Sequence, residues 1–184
     1  MRDVKTKATD ATFGEPGADF SPTDIERIDA LRYLVIATER EGARTMAKAL
    51  RQVGLNGAQR EVLEVARQHS PVTLAELGRL LVCQVGSPSR LVDGLVRQGL
   101  IDRRVDPGDK RVVMLSLTPA GEEALDLVYP IDAIRKRIAT QLTAEQIDQL
   151  IGLLAPIVAD TPSGVAVAAR FPDIWSASTA RALA

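Results

Sequence analysis

A mainly helical protein with one small antiparallel β-hairpin is the fold class this sequence predicts, and three observations carry that expectation. Apolar residues recur every three or four positions through most of the chain, which is the spacing of one buried helix face. Helix-start chemistry, a Ser, Asn or Thr with an acid or amide three residues later, recurs at Ser21, Asn56, Thr73 and Thr143. Only between Leu100 and Thr118 does the apolar period fall to two, on either side of a Pro-Gly turn.

The elements follow in order. Residues 1–20 mix Thr, Asp, Gly, Lys and Pro with few aliphatics, so they cannot repay the entropy of ordering and are expected to form a flexible arm. "SPTD" at Ser21 to Asp24 then supplies a cap, a proline at the first helical position and an acid. The helix it starts carries Ile25, Ile28, Leu31, Val35, Thr38, Gly42, Thr45, Ala49 and Val53 at helical spacing, within residues 21–54. At 1.5 Å per residue it would run roughly 45 Å, more than a small domain needs for its own core, which points to packing against a partner chain. Gly42 either permits a close helix contact or simply costs stability.

Residues 55–118 hold three shorter helices and the hairpin. Asn56 with Gln59 caps the first, whose inward face is Val62, Leu63, Val65 and Ala66. Thr73 with Glu76 caps the second, with Val72 as a hydrophobic staple. Ser87 and Pro88 open the third, which buries Leu91, Val92 and Leu95 and stops at Gly99. Only "VCQVG" separates the last two, so they form a helix-turn-helix. "LIDRRV" and "RVVMLSLT" are the hairpin strands, with Pro107 and Gly108 in the turn. In 119–159, "TPAG" starts a helix running through Leu125, Val128, Ile131, Ile134 and Ile138 that Pro130 should kink. Thr143 with Gln146 starts another, carrying Ile147, Leu150, Ile151 and Leu154 toward Pro156. The tail, 160–184, holds Phe171 and Trp175, two of six aromatics, and should be partly ordered by docking those rings. At 184 residues and 46% hydrophobic, all of this makes one structural domain.

Composition excludes several classes. No run approaches the about 18 apolar residues of a membrane span, and "MRDVKTKATDATFG" has no apolar stretch to make a secretory signal. A cytoplasmic protein that does not bind membranes is expected. One Cys and one His leave no disulfide, no metal cluster and no nucleophile-base pair, and there is no glycine-rich phosphate loop, so neither an enzyme nor a cofactor is expected. His69 reads as a surface or capping residue. The formal net charge is -1, yet Arg79 to Arg111 holds seven basic side chains against four acidic. Local contact with a polyanion would require such a segment, and a solvated, salt-bridged face gives the same count.

Helix-turn-helix followed at once by a hairpin is the layout of a winged helix. The series "LVDGLVRQGLI", "DPGDKR" and "LSLTPAG" resembles the multiple-antibiotic-resistance regulator (MarR) family, and the resemblance covers roughly residues 22–158. It implies a homodimeric transcription regulator, with 21–54 and 119–159 as dimerisation helices. It also implies double-stranded DNA as partner and a repressor released by a small aromatic or acidic effector or by an oxidant. Two recognition helices would then enter a pseudo-palindromic site about 34 Å apart.

The physics of the residues agrees. Side chains near a helix N-terminus reach base edges while backbone N–H groups hold phosphate. Here these are Ser87, Ser89 and Arg90; Arg90 suits a bidentate contact to guanine or pairs with Asp93 or Asp109, and the serines read bases, hold phosphates or merely cap. Many family members start this helix several residues earlier, so here it either begins late or takes Pro88 into its first turn. Lys110 and Arg111 at the hairpin tip suit the minor groove. In the family's D-x-R pattern, matched by Asp109 and Arg111, the acid orients the arginine. Of Arg103 and Arg104, alternation sends one toward the phosphates and the other away. The resemblance places an effector near Tyr33. Cys83 is a small buried hydrophobe or, in a redox-responsive regulator, the sensor. The competing function is a winged-helix module that docks an acidic protein.

Overall fold

Reciprocal side-chain caps open several helices of the computed structural model, which describes residues 21–82, 87–106, 108–128 and 133–182, with side chains to Ala177. The expected flexible arm, Cys83, Pro107 and the Pro130 kink lie outside these residues. Helix α1 (Pro22–Gln52) starts where the Ser21 hydroxyl donates to the Asp24 carboxylate at 2.6 Å and the Asp24 N–H donates back at 3.3 Å.

The chain divides into two compact units, Met1–Thr38 and Glu39–Ala184. The described part of the first is the N-terminal half of α1, where Ile25, Ile28, Leu31, Leu34 and Val35 are exposed. In the second unit α1 buries Met46, Ala49 and Leu50. There Gly42 takes the first of its two possible roles. A Cβ at 42 would come within 3.1 Å of Ile134 Cγ2 on α6 (Ala133–Gln141).

The second unit builds its core around α2 (Gly57–His69), capped by Asn56 and Gln59. Val62, Leu63, Val65 and Ala66 are buried as expected, and so are Glu61 and Glu64, which the apolar pattern does not include. His69, the last residue of α2, is half-buried, and its Nε2 is buried with no partner among the described residues. Strand β1 (Val72–Thr73) follows. Val72 is therefore more than a staple: it pairs with Leu115, making the sheet three-stranded. α3 (Leu74–Leu80) is capped by Thr73, whose hydroxyl donates to Glu76 at 2.7 Å and whose N–H donates at 3.0 Å. Those bonds, the hydroxyl's first, hold the Glu76 carboxyl below its usual range. The stability this contributes is present above the unfolded-state value and is lost as pH falls through the lowered folded one.

α4 (Pro88–Arg97) begins at Pro88, the later of the two possible starts, and ends at Gly99, whose φ of 72° is left-handed. The hairpin is β2 (Ile101–Val105) paired in antiparallel with β3 (Val113–Leu117), and the sheet order is β1-β3-β2. Leu63, Leu77, Leu95, Ile101, Leu115 and Leu125 are fully buried and tie α2, α3, α4, the sheet and α5 (Pro119–Val128) into one core.

At the start of α5 the Thr118 hydroxyl donates to the Gly99 carbonyl at 2.7 Å and accepts the Gly121 N–H at 3.1 Å. Gly121 lies tight against Leu100. A Cβ there would collide with the Leu100 carbonyl oxygen and stand 2.6 Å from Leu117 Cδ1. Alanine normally gains about 0.5–1 kcal/mol over glycine inside a helix, whereas an overpacked atom costs about 1–3 kcal/mol. The steric effect should win, so Gly121→Ala is expected to lower the urea midpoint, and an unchanged or higher midpoint would refute the close approach.

α7 (Ala144–Val158), capped by Thr143 and Gln146, runs through Pro156. The proline has no N–H to give the Gly152 carbonyl, so it forgoes one bond of the preceding turn without ending the helix. The tail forms two helices, α8 (Pro162–Arg170) against α3 and α9 (Pro172–Ala182) along α7. Of the two rings expected to dock the tail, Phe171 is 40% exposed and Trp175 is half-buried, and the Arg170 side chain beside Phe171 is only 9% exposed.

Candidate nucleic-acid interface

The N-terminus of α4 presents what an anionic duplex needs. Ser87 is the N-cap residue, but its side chain makes no capping bond; Pro88 has no N–H and the Arg90 N–H donates to the Ser87 carbonyl at 3.0 Å, so the Ser87 hydroxyl and the Ser89 N–H are the groups left for a phosphate. Arg90 is exposed and, among the described residues, pairs with no carboxylate. The Asp93 alternative is taken by another cation, because Arg103 Nη1 lies 2.9 Å from Asp93 Oδ1.

That ion pair also separates Arg103 from Arg104. Arg103 lies opposite the buried Leu115 and reaches α4, whereas Arg104 lies opposite Met114 on the other face. Arg104 Nε holds Asp102 Oδ2 at 2.6 Å, but its side chain remains 83% exposed. Arg103 is thus a strut between wing and recognition helix, a link no sequence pattern announced.

The wing tip is set by two aspartates. Asp106 Oδ1 accepts the N–H groups of Gly108 at 2.6 Å and Asp109 at 3.0 Å. Asp109 Oδ1 accepts the Arg111 N–H at 2.9 Å. The acid of the D-x-R pattern therefore orients the arginine through its backbone and not its guanidinium. Asp106 was missed in the sequence, although an aspartate before Pro-Gly is a recognisable side-chain-to-backbone turn. Lys110 and Arg111 are exposed and, among the described residues, form no ion pair.

Tyr33 belongs to the first unit, 61% exposed with Arg32 Cζ 4.5 Å from its ring centroid. The second unit has an open hollow of about 690 Å³ beside Thr118, Glu122 and Asp126 and one of about 400 Å³ beside His69, Arg79 and Val165. Among the described residues no group of His, Cys, Asp or Glu could hold a metal, and no helix is long and apolar enough to cross a membrane.

Known proteins match this arrangement. Residues 55–121 match a winged helix DNA-binding domain. The chain is 32% identical over 136 residues to the uncharacterized HTH-type transcriptional regulator YkoM of Bacillus subtilis, covering 73% of this chain and 88% of that one. It is 26% identical to the multiple antibiotic resistance protein MarR of Escherichia coli over 130 residues, covering 70% and 90%. The structure of a cysteine-to-serine mutant of E. coli MarR complexed with operator DNA superposes with a TM-score of 0.60 at 26% identity, covering 72% of this chain and 96% of that one. These relatives are transcription regulators and not enzymes. On the winged helix and these matches together, the chain belongs to the MarR family of winged-helix transcription regulators.

Proposed function

We propose that this regulator acts as a homodimeric repressor on a pseudo-palindromic DNA site and that a small aromatic or acidic ligand releases it. The observation that carries the reading is the placing of three exposed cations that form no ion pair among the described residues, Arg90 at the start of α4 and Lys110 and Arg111 on a braced wing tip. In it, Arg90 reads a base edge, Ser87 and Ser89 hold phosphate, Lys110 and Arg111 enter the minor groove, and Arg104 faces the backbone. Exposed apolar residues on the first half of α1, and Leu150, Leu153 and Ile157 on α7, support pairing with a second copy. The operator complex of E. coli MarR supports the duplex.

The test is selection of duplexes from a random pool, with the mass of the complex measured by light scattering. A selected site with two half-sites about one helical turn apart, bound by two chains, is expected. Failure to enrich any duplex would favour docking to an acidic protein instead. On the selected site, Arg90→Ala should relax preference at one base pair by about 1–3 kcal/mol. A uniform loss across all sites would make Arg90 a phosphate contact. The same duplex, challenged with aromatic acids and with peroxide, tests the effector site near Tyr33 and the redox alternative. Release by peroxide that survives Cys83→Ser removes that alternative.

A further inference from the structure

Two carboxylates on α2 lie away from water, and the cation that reaches both comes from the far end of the chain. Glu61 and Glu64 are buried residues one turn apart. Arg60 takes Glu64, with Nη2 2.9 Å from Oε1. Arg170, in the last turn of α8, places Nη1 3.2 Å from Glu61 Oε1 and Nη2 3.9 Å from Glu64 Oε2. The same Glu61 Oε1 accepts the Val82 N–H at 2.7 Å. Val82 lies just past the end of α3, in the connection that leads into α4. A guanidinium 109 positions from Glu61 in sequence is therefore one carboxylate away from the turn of the helix-turn-helix.

α8 is seated firmly enough to matter. It packs against α3, and Gly164 in its first turn lies so close to the Val158 carbonyl that a Cβ would collide. Arg170, Glu61 and Glu64 have side chains 9%, 10% and 12% exposed, so water screens the pair weakly. A carboxylate that stays charged without its cation draws water into the site, and that water competes for Glu61 and loosens the charge-assisted bond to Val82.

We propose that Arg170 is a positioning residue for DNA recognition: through Glu61 it holds the Val82 N–H, and with it the end of α3 against α2, the helix on which α4 also packs. The inference rests on the DNA reading above only for its second readout. Arg170 touches no surface assigned to the duplex, so its loss should alter discrimination without removing a phosphate contact.

The experiment compares the full-length protein with Arg170→Met, Arg170→Lys, and the double variant Arg170→Met with Glu61→Gln. Amide exchange at Val82 is read without DNA. Binding is read on the selected duplex and on a scrambled duplex of equal length. In Arg170→Met the Val82 amide should lose protection, and preference for the selected over the scrambled duplex should fall about tenfold at unchanged salt slope. Arg170→Lys should restore part of both, because it returns the charge without the fork. The double variant should restore Val82 protection and discrimination together, since a neutral amide oxygen accepts the N–H and needs no cation. It also removes the buried charge that Arg170→Met leaves without its guanidinium. Val82 protection unchanged in Arg170→Met, or both duplexes weakened equally while Val82 is exposed, would overturn the proposal. If the wild type selects no duplex, the DNA reading fails while the exchange arm still decides whether Arg170 holds Val82.

Discussion

Replacing Leu115 with alanine is expected to destabilise the protein by about 2–5 kcal/mol. Leu115 is fully buried in β3, the central strand, with Val72 of β1 opposite on one side and Arg103 of β2 on the other. Truncation removes the methyl groups from the apolar interior and leaves a cavity. The surrounding elements can close that cavity only by breaking strand register or withdrawing α2. The measurement is urea unfolding at fixed protein concentration, because association would shift the midpoint by mass action. Isosteric Leu115→Met should cost under about 1.5 kcal/mol. A loss below about 1 kcal/mol in the alanine variant would mean that β3 does not bridge core and wing as described. The functional consequence is local. With β3 loosened, the hairpin that carries Lys110 and Arg111 loses its anchor, so DNA affinity should fall at urea concentrations where the helices remain folded.

How much could be read in advance depended on the range of each interaction. Caps at Ser21, Asn56, Thr73 and Thr143 were legible because donor and acceptor lie three residues apart. The β2-β3 hairpin was legible because strand period and turn chemistry coincide. β1 was not, since two residues have no period and Val72 acts as a strand only through Leu115, far along the chain. Glu61 and Glu64 defeated the pattern reading outright. A carboxylate on a helix is normally assigned to water, and only the fold brings Arg170 to these two. The candidate interface divides in the same way. Its cations were visible as a basic segment, but which of them are free was not, because the Arg103 strut to Asp93 and the Asp109 bond to the Arg111 backbone depend on tertiary geometry.

That division between free and engaged cations sets the second large effect. Lys110→Ala with Arg111→Ala should lower the slope of log affinity against log salt by about two, at roughly 0.9 for each phosphate neutralised. The variant should therefore lose about tenfold less affinity than the wild type between about 50 and 200 mM salt, while binding more weakly at every concentration in that range. The substitutions remove charge and leave the turn in place. Asp106 holds the N–H groups of Gly108 and Asp109, and Asp109 holds the backbone N–H of residue 111, which alanine retains. A folded wing can be checked by unchanged amide exchange across β2 and β3. Arg103→Ala is the internal control. Its guanidinium is already compensated by Asp93, so its loss should leave the slope nearly unchanged and act through the strut to α4. Equal slopes for the double variant and the wild type would remove Lys110 and Arg111 from the interface, and a slope that fell in Arg103→Ala instead would move the contact from the wing tip to the strand.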